Sequence, residues 1–186
     1  MNVTDRQYAL DLDKNDPLAH FKSKFVVTDP AMCYLDGNSL GRLPHATVKA
    51  VSDFVSHEWG NEVVTGWSHW IDEAQVAGDL LGRAALGAAA GQVLVCDTTS
   101  VNFYQLCVAA IKARPGRKTI ITDAANFPTD RYILKGIAEQ FGLKLITIDN
   151  EDPAIAENEL ITAELLEKYM SEDVAMVTFE VIQYRS

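Results

Sequence analysis

The sequence has few of the features that mark a secreted, metal-binding or membrane protein. Its three cysteines are an odd number without a CxxC pair, which argues against a disulfide framework and a cysteine-based zinc site. HExxH, Walker A and GxGxxG patterns are all missing. Residues 1–16 lack the apolar segment of a signal peptide, and no apolar run is long enough to span a membrane. We therefore expect a cytoplasmic protein without a metal site.

Positive charge is also scarce. The 186 residues include 16 Lys and Arg against 26 Asp and Glu, a formal net charge of −10. Nucleic acids and anionic membrane surfaces bind basic patches, and the sequence has no Lys/Arg-rich run. We expect neither as a partner. The densest acidic stretch, 151–172, is predicted to be a solvated loop and helix face.

Apolar segments alternate between strand-like and helical patterns over the second half of the chain. The strand-like runs are short and nearly continuous in apolar residues, which is typical of strands covered on both faces of a sheet. Alternation of such strands with helices predicts an α/β fold with a mostly parallel sheet. The predicted strands are 92–96, 118–122, 143–148 and 174–182, and the predicted helices between them are 101–113, 130–140 and 162–170.

Helical patterns precede this region. We predict helices over 5–25, 45–59 and 67–90, with a loop over 34–44 between the first two. Gly82 is the weak point of the third helix, because an interior glycine costs helix stability. The chain ends directly after the last predicted strand, which would need a neighbour or a covering helix, so we expect a truncated domain.

Two loops combine strand ends with helix starts. Asp97–Asn102 offers three consecutive hydroxyls where helix N–H groups and the helix dipole attract an anion, although N-capping by Thr98 or Ser100 alone explains the pattern. Asn126–Asp130 places Phe127 and Asp130 where ligands of open α/β sheets bind. Phe127 also suits core packing, and Pro128 with Thr129 as a possible cap suits a plain helix start.

The remaining candidate residues lie earlier in the chain. The stretch 34–44 has glycines and an asparagine that indicate a specific backbone path, or an ordinary turn. Trp67 beside a glycine suits the wall of a pocket for an aromatic ligand. Trp59 and Trp70 are interpreted as a packing cluster, and His69 as a structural residue.

Four segments together resemble the kynureninases. They are YLDGNSLGRLP at 34–44, TTSVN at 98–102, NFPTD at 126–130 and YRS at 184–186, and they occur in the family's order over nearly the whole chain. The resemblance implies a fold-type-I pyridoxal-phosphate enzyme, normally a homodimer, that hydrolyses L-kynurenine, and often 3-hydroxykynurenine, to the anthranilate product and L-alanine.

The resemblance also implies a domain division. Residues 1–50 would form an N-terminal helical segment that belongs partly to the small domain and carries the signature loop. Residues 51–186 would form the first part of the cofactor-binding large domain, which is incomplete in this chain.

Site roles follow from the matched motifs residue by residue. By this resemblance, Thr99 and Ser100 would contact the cofactor phosphate, and Phe127 would stack on its pyridine ring. Pro128, Thr129 and Asp130 would line the cofactor. Ser39 and Trp67 would approach the substrate.

Two departures from the family pattern are visible. The Schiff-base lysine, the aspartate that pairs with the pyridine nitrogen, and a neighbouring His and Tyr would lie downstream of YRS, so no catalytic residue is assigned in this chain. Glu180 stands where the family usually has a small hydroxyl residue close to the cofactor, and a carboxylate there would repel a phosphate.

Two alternatives remain open. The chain could be a non-catalytic remnant, or half of a split enzyme that binds a complementary chain, since an unpaired apolar strand invites a partner. It could instead be another fold-type-I enzyme, such as a class V aminotransferase or cysteine desulfurase relative. The GNSLG and NFPTD motifs argue against the latter.

Overall fold

The computed structural model describes residues 2–149 and 161–182. The chain divides into two compact units, Met1–Leu80 and Leu81–Ser186. The division predicted at residue 50 concerns the domains of a complete enzyme, and it stays a prediction. The YRS segment and part of the predicted acidic stretch lie outside the described residues.

The first unit begins with two short helices. α1 (Arg6–Lys14) starts at Asp5, whose carboxylate accepts a hydrogen bond from the backbone N–H of Gln7 and so satisfies one free donor of the first turn. A 3-10 helix follows at Ala19–Lys24. The single helix predicted over 5–25 is therefore wrong in its second half. Pro17 interrupts it, because proline lacks an N–H and disfavours helical backbone in the preceding residue.

The helix predicted over 45–59 is confirmed, although its second half is wound differently. α2 (His45–Asp53) continues into a π-helical turn at Phe54–Trp59. Short helical segments follow at α3 (Gly60–Glu62), a 3-10 turn at Val63–Gly66 and α4 (Trp67–Trp70).

The single helix predicted over 67–90 is wrong. After α4, Asp72 starts a new helix, α5 (Glu73–Leu81), by accepting backbone hydrogen bonds from the following turn. A π-helical turn at Gly82–Leu86 follows. Gly82 is the predicted weak point, and a Cβ there would lie 3.1 Å from a methyl carbon of Val93. The helical stretch ends at Gly87, whose φ of +65° favours glycine.

The second unit is built on a parallel three-stranded sheet with strand order β2-β1-β3. The strands are β1 (Thr119–Asp123), β2 (Lys144–Ile148) and β3 (Val174–Val177). β1 is the central strand and all five of its residues are buried. The predicted α/β class with a parallel sheet is confirmed, and the last strand is shorter than its predicted range of 174–182.

Helices cover both faces of this sheet. Ile120 of β1 packs with α6 (Thr99–Lys112) and α7 (Pro128–Phe141), whereas the adjacent Ile121 lies in a second apolar cluster with α8 (Ala163–Glu167). Because successive strand residues point to opposite faces, the two isoleucines serve the two layers. The predicted helices at 101–113, 130–140 and 162–170 are confirmed in position, with the first two starting two residues earlier.

The strand predicted over 92–96 is wrong. Those residues form no strand, and Leu94 and Val95 are 57% and 46% exposed. A strand needs a neighbouring backbone to bond with, and among the described residues no strand pairs with this segment. An apolar run alone is therefore not sufficient to predict a strand here.

Candidate functional site

The hydroxyl-rich loop leads directly into the first turn of α6. Thr98 is the N-cap residue, and its hydroxyl accepts a hydrogen bond from the backbone N–H of Val101 at 3.3 Å. Asp97, with a φ of +41°, turns the chain and accepts a bond from the N–H of Thr98 at 2.7 Å. The capping expected of Thr98 is confirmed. The side chains of Thr99 and Ser100 are not the capping groups, and they lie in the first turn, Thr99 exposed and Ser100 half-buried.

The same loop is tied back to the preceding segment. Asn102 donates a hydrogen bond from its amide nitrogen to the Cys96 carbonyl oxygen at 2.7 Å, and its amide oxygen lies 3.5 Å from the Cys96 sulfur. These contacts fix the path of the backbone into α6. The first N–H groups of the helix, which have no partner inside a helix, are therefore presented at a defined place.

The aromatic loop starts α7. Phe127 is the N-cap residue, Pro128 occupies the first turn, and no side chain within the loop caps the helix. The possible cap at Thr129 is therefore wrong, because Thr129 already lies inside the helix. The Phe127 ring is 45% exposed, so it is not the core residue that the alternative interpretation required.

A distant carboxylate meets this helix start. The backbone N–H of Phe127 donates a hydrogen bond to Oε1 of Glu180 at 2.9 Å, across 53 residues of sequence. The loop after β1 and the loop after β3 are thereby joined at the same edge of the sheet. Glu180 Oε2 is buried and has no hydrogen-bond partner among the described residues.

Buried polar groups lie just before Phe127. Asp123, the last residue of β1, is 1% exposed and Asn126 is 2% exposed. The Asn126 amide donates to the Thr122 hydroxyl at 3.2 Å. Buried polar side chains normally need partners, so this edge of the sheet is built as a polar site and not as a plain apolar end.

Asp130 lies in the first turn of α7, partly buried. Desolvation by burial raises the pKa of its carboxyl. Burial also raises the pKa of the Cys107 thiol, to about 11, and the nearby Asp130 charge adds to that effect. The Asp130 carboxylate is therefore near enough to α6 to influence the thiol of Cys107.

The predicted cofactor residues all belong to the second unit. Their two helices, α6 and α7, pack on the same face of the sheet through Cys107, Leu134 and Ile137. Ser39 and Trp67, predicted to approach the substrate, belong to the first unit.

Ser39 lies in a loop that is closed by its own side chains. Its hydroxyl donates to the Asp36 carboxylate at 2.8 Å, and the Tyr34 hydroxyl lies within hydrogen-bond distance of the Asp36 and Leu40 carbonyl oxygens. Arg42 lies over the Tyr34 ring, 5.1 Å from its centroid. The loop predicted over 34–44 is confirmed and follows a specific path.

Trp67 lines an apolar cavity of about 590 Å³ within the first unit. Its ring meets Trp70 edge to face, with centroids 6.2 Å apart. Trp70 packs as expected, against Phe54 at 5.3 Å. Trp59, interpreted from the sequence as packing, is 59% exposed and lines the same cavity. The full lining is Phe54, Trp59, Val63, Val64, Trp67, Trp70 and Glu73.

The backbone beside the cavity is strained and tightly packed. Val63 has a φ of +51°, which is unusual for a β-branched residue. Gly66 is buried, and a Cβ there would lie 2.2 Å from the Trp70 ring. His69 bonds Glu62 at 2.8 Å, and that hydrogen bond raises the pKa of the imidazole. The structural role expected of His69 agrees with this contact.

Membrane-spanning helices and metal clusters are both missing from the described ranges. No helix formed by residues 2–149 and 161–182 is long and apolar enough to cross a membrane. Over the same residues, no group of three or more His, Cys, Asp or Glu side chains is arranged to hold a metal ion.

Sequence reasoning missed two parts of this site. Asp123 was overlooked, although a carboxylate directly after four buried strand residues is a visible signal. The contact between Glu180 and the Phe127 backbone was not foreseen either. It joins residues 53 positions apart, and no local pattern carries that information.

Comparison with known proteins gives one consistent result. A kynureninase of Pseudomonas fluorescens is 33% identical over 192 aligned positions, which cover 99% of this chain and 43% of the relative. A kynureninase of Deinococcus radiodurans is 34% identical and one of Burkholderia pseudomallei 38% identical, over 94% and 80% of this chain. No protein-family model matches the chain.

The parallel sheet, its two helical layers and the polar loops at one sheet edge define an α/β protein with part of a fold typical of pyridoxal-phosphate enzymes. By sequence, the chain is similar to kynureninases over 80–99% of its own length. It spans about two fifths of the length of the curated relatives it matches, between 37% and 43% of each.

Proposed function

We propose that the chain is the N-terminal part of a kynureninase of tryptophan degradation. The complete enzyme would hydrolyse L-kynurenine to anthranilate and L-alanine, and 3-hydroxykynurenine to 3-hydroxyanthranilate and L-alanine. The observation that carries this proposal is the 33–38% identity to kynureninases over 80–99% of the chain. A cytoplasmic homodimer with pyridoxal 5'-phosphate as cofactor belongs to the same proposal.

The first turn of α6 suits the phosphate of the cofactor. Thr98 uses its hydroxyl to cap Val101, which leaves the Thr99 and Ser100 N–H groups at the helix start. Free N–H groups and the positive end of the helix dipole favour a dianion. The hydroxyls of Thr99 and Ser100 add donors that the capping does not use.

The start of α7 suits the ring of the cofactor. The half-exposed Phe127 ring offers a flat apolar face, and aromatic rings stack on such faces. Pro128, Thr129 and Asp130 follow in the same turn and would line the cofactor. When bound, the cofactor supplies an electron sink for carbon–carbon bond cleavage, and the protein orients it.

The first unit would contribute to substrate binding. The cavity beside Trp67 is apolar and walled by aromatic rings, which suits the aryl group of kynurenine. Ser39, held by the Asp36 carboxylate, would approach the substrate from the loop at 34–44.

We propose that this chain alone does not hydrolyse kynurenine. None of its lysines stands in a motif that matches the family's Schiff-base lysine, and the chemistry needs that amine. The assay is anthranilate fluorescence after adding purified chain and pyridoxal phosphate to L-kynurenine. Anthranilate formation above a no-protein control would contradict the proposal.

Cofactor binding is the sharper test. We expect the chain to bind 4'-deoxypyridoxine 5'-phosphate, which cannot react with a lysine, in calorimetric titrations. Phe127→Ala should weaken binding by roughly two- to twelvefold, the range expected for losing one aromatic stacking contact. Tyr132→Ala, an exposed aromatic on the same helix, is the matched control and should bind like wild type. Equal binding by wild type and Phe127→Ala would refute the assignment.

A further inference from the structure

The start of α7 is capped from a distance. Helix N-termini are usually capped by a nearby Ser, Thr, Asp or Asn side chain, and Phe127 at the N-cap position cannot do this. Instead Oε1 of Glu180 accepts the Phe127 N–H at 2.9 Å. A carboxylate at this place also interacts favourably with the positive end of the helix dipole.

We propose that Glu180 is a positioning residue, which fixes the backbone of Phe127 and so holds its ring outward, where a flat ligand stacks on it. The ligand part of this inference rests on the proposed function. The positioning part rests on the contact between the two loops alone.

Three observations support the positioning role. The segment before Phe127 is anchored, because Asn126 is buried and bonded to Thr122. The segment after it is restrained by Pro128, whose ring fixes its own φ. The N–H of Phe127 lies between these anchors, and Glu180 holds it. The ring then stays 45% exposed beside a buried strand end.

Glu180 has no competing role within the described residues. It forms no ion pair there, and its second oxygen is buried without a hydrogen-bond partner. Its carboxylate is thus committed to the Phe127 backbone. The sequence predicted that the Glu180 carboxylate would repel a phosphate. If repulsion dominated, removing Glu180 would strengthen ligand binding, whereas the positioning role predicts that removing it weakens binding.

The experiment compares the wild-type chain with Glu180→Ala and Glu180→Gln. Glutamine keeps the length and the acceptor oxygen, so it serves as the conservative variant. Two quantities are measured: amide hydrogen exchange at Phe127 by NMR, and the Kd for 4'-deoxypyridoxine 5'-phosphate. Glu172→Ala, an exposed acid of the same unit, is the control for the loss of one negative charge.

We expect Glu180→Ala to accelerate exchange at the Phe127 amide by about tenfold or more, the loss expected for one hydrogen bond to a charged group. Exchange at Ile137, deeper in α7, should change by less than about twofold, since a merely global destabilisation would move both amides together. The Kd should rise about fivefold, and Glu180→Gln should restore both quantities to within about twofold of wild type.

Unchanged exchange at Phe127 in Glu180→Ala would overturn the proposal, and so would tighter ligand binding by that variant. If Glu180→Ala does not fold, Glu180→Asp, which keeps the charge but shortens the side chain, replaces it with the same expected changes. Wild-type chain that binds no ligand, with Phe127 exchange still dependent on Glu180, would refute cofactor binding by this chain and leave the backbone-positioning role of Glu180 supported.

Discussion

Gly66 is the position where one added methyl group should do the most damage to the first unit. A Cβ there would lie 2.2, 2.4 and 2.5 Å from three ring carbons of Trp70. Carbon atoms in contact prefer about 3.5–4.0 Å, so the ring would have to move by about 1.3 Å. Trp70 has little freedom to move, because it packs against Phe54 and its indole N–H lies 3.3 Å from the Glu58 carboxylate.

The expected cost of Gly66→Ala follows from two opposing effects. Overpacking of this kind costs about 1–3 kcal/mol. The backbone of Gly66 is helical, with φ −59° and ψ −22°, so alanine itself recovers about 0.5–1 kcal/mol. The midpoints of these two ranges give an expected net loss of about 1.3 kcal/mol in the free energy of unfolding, or about 0.6 M in the urea midpoint at a slope near 2 kcal/mol/M.

Tryptophan fluorescence during urea unfolding measures this loss, because all three tryptophans belong to the first unit. Gly136→Ala is the matched control. Gly136 lies inside α7, and a Cβ added there would have no neighbouring atom within 4 Å. Alanine at this position should therefore stabilise the second unit by about 1 kcal/mol, which circular dichroism during urea unfolding would measure. A Gly66→Ala chain as stable as wild type would refute the packing of Trp70 on Gly66.

Three further predictions concern charge and reactivity. Asp173→Ala should destabilise the second unit by about 1–3 kcal/mol in urea unfolding, because the Asp173 carboxylate accepts hydrogen bonds from the Lys118 backbone N–H and the Thr119 hydroxyl. The control Glu172→Ala should change the free energy of unfolding by less than about 0.5 kcal/mol, and equal losses in the two variants would contradict the prediction. Burial raises the pKa of Cys107 to about 11, so at pH 8 a thiol reagent should modify only the exposed Cys33 and Cys96 until denaturant is added. Equal rates of modification at all three cysteines would contradict this prediction. The Glu62 hydrogen bond raises the pKa of His69. Its stabilisation of the fold is therefore fully present below the unfolded pKa of about 6.5 and is lost as pH rises through the folded pKa. NMR titration should find a lower His69 pKa in Glu62→Gln, and an unchanged pKa would disprove the coupling.

Periodic and local signals predicted most of the second unit. Short apolar runs located β1 and β2, and the glycine after α7 has the φ of +61° expected of a C-terminal cap. Such features depend on residues within a few positions of each other. The strand predicted over 92–96 failed because pairing depends on a neighbour that a local apolar run does not reveal.

The candidate site was predicted unevenly for the same reason. The cap at Thr98 follows from its own loop, whereas the sequence left open whether the Phe127 ring is exposed or packed in the core. The contact between Glu180 and Phe127, the ring of Trp70 over Gly66 and the apolar cavity at Trp67 all depend on tertiary contacts. The sequence shows which residue types each loop carries, but which of these residues are in contact depends on the tertiary structure.

The strand order β2-β1-β3 also bears on how the second unit forms. Thr119 of β1 pairs with Lys144 of β2 and with Val174 of β3, so the second pairing closes a loop about twice as long. The longer closure costs only about 0.7 kcal/mol more in chain entropy, but it has to wait until a ribosome has made the later strand. At synthesis rates of about 5–20 residues per second, the nascent chain has one to several seconds in which β1 and β2 can pair before β3 exists. The central strand therefore spends that interval with one edge open, which is a period when a chaperone or a second nascent chain could bind it.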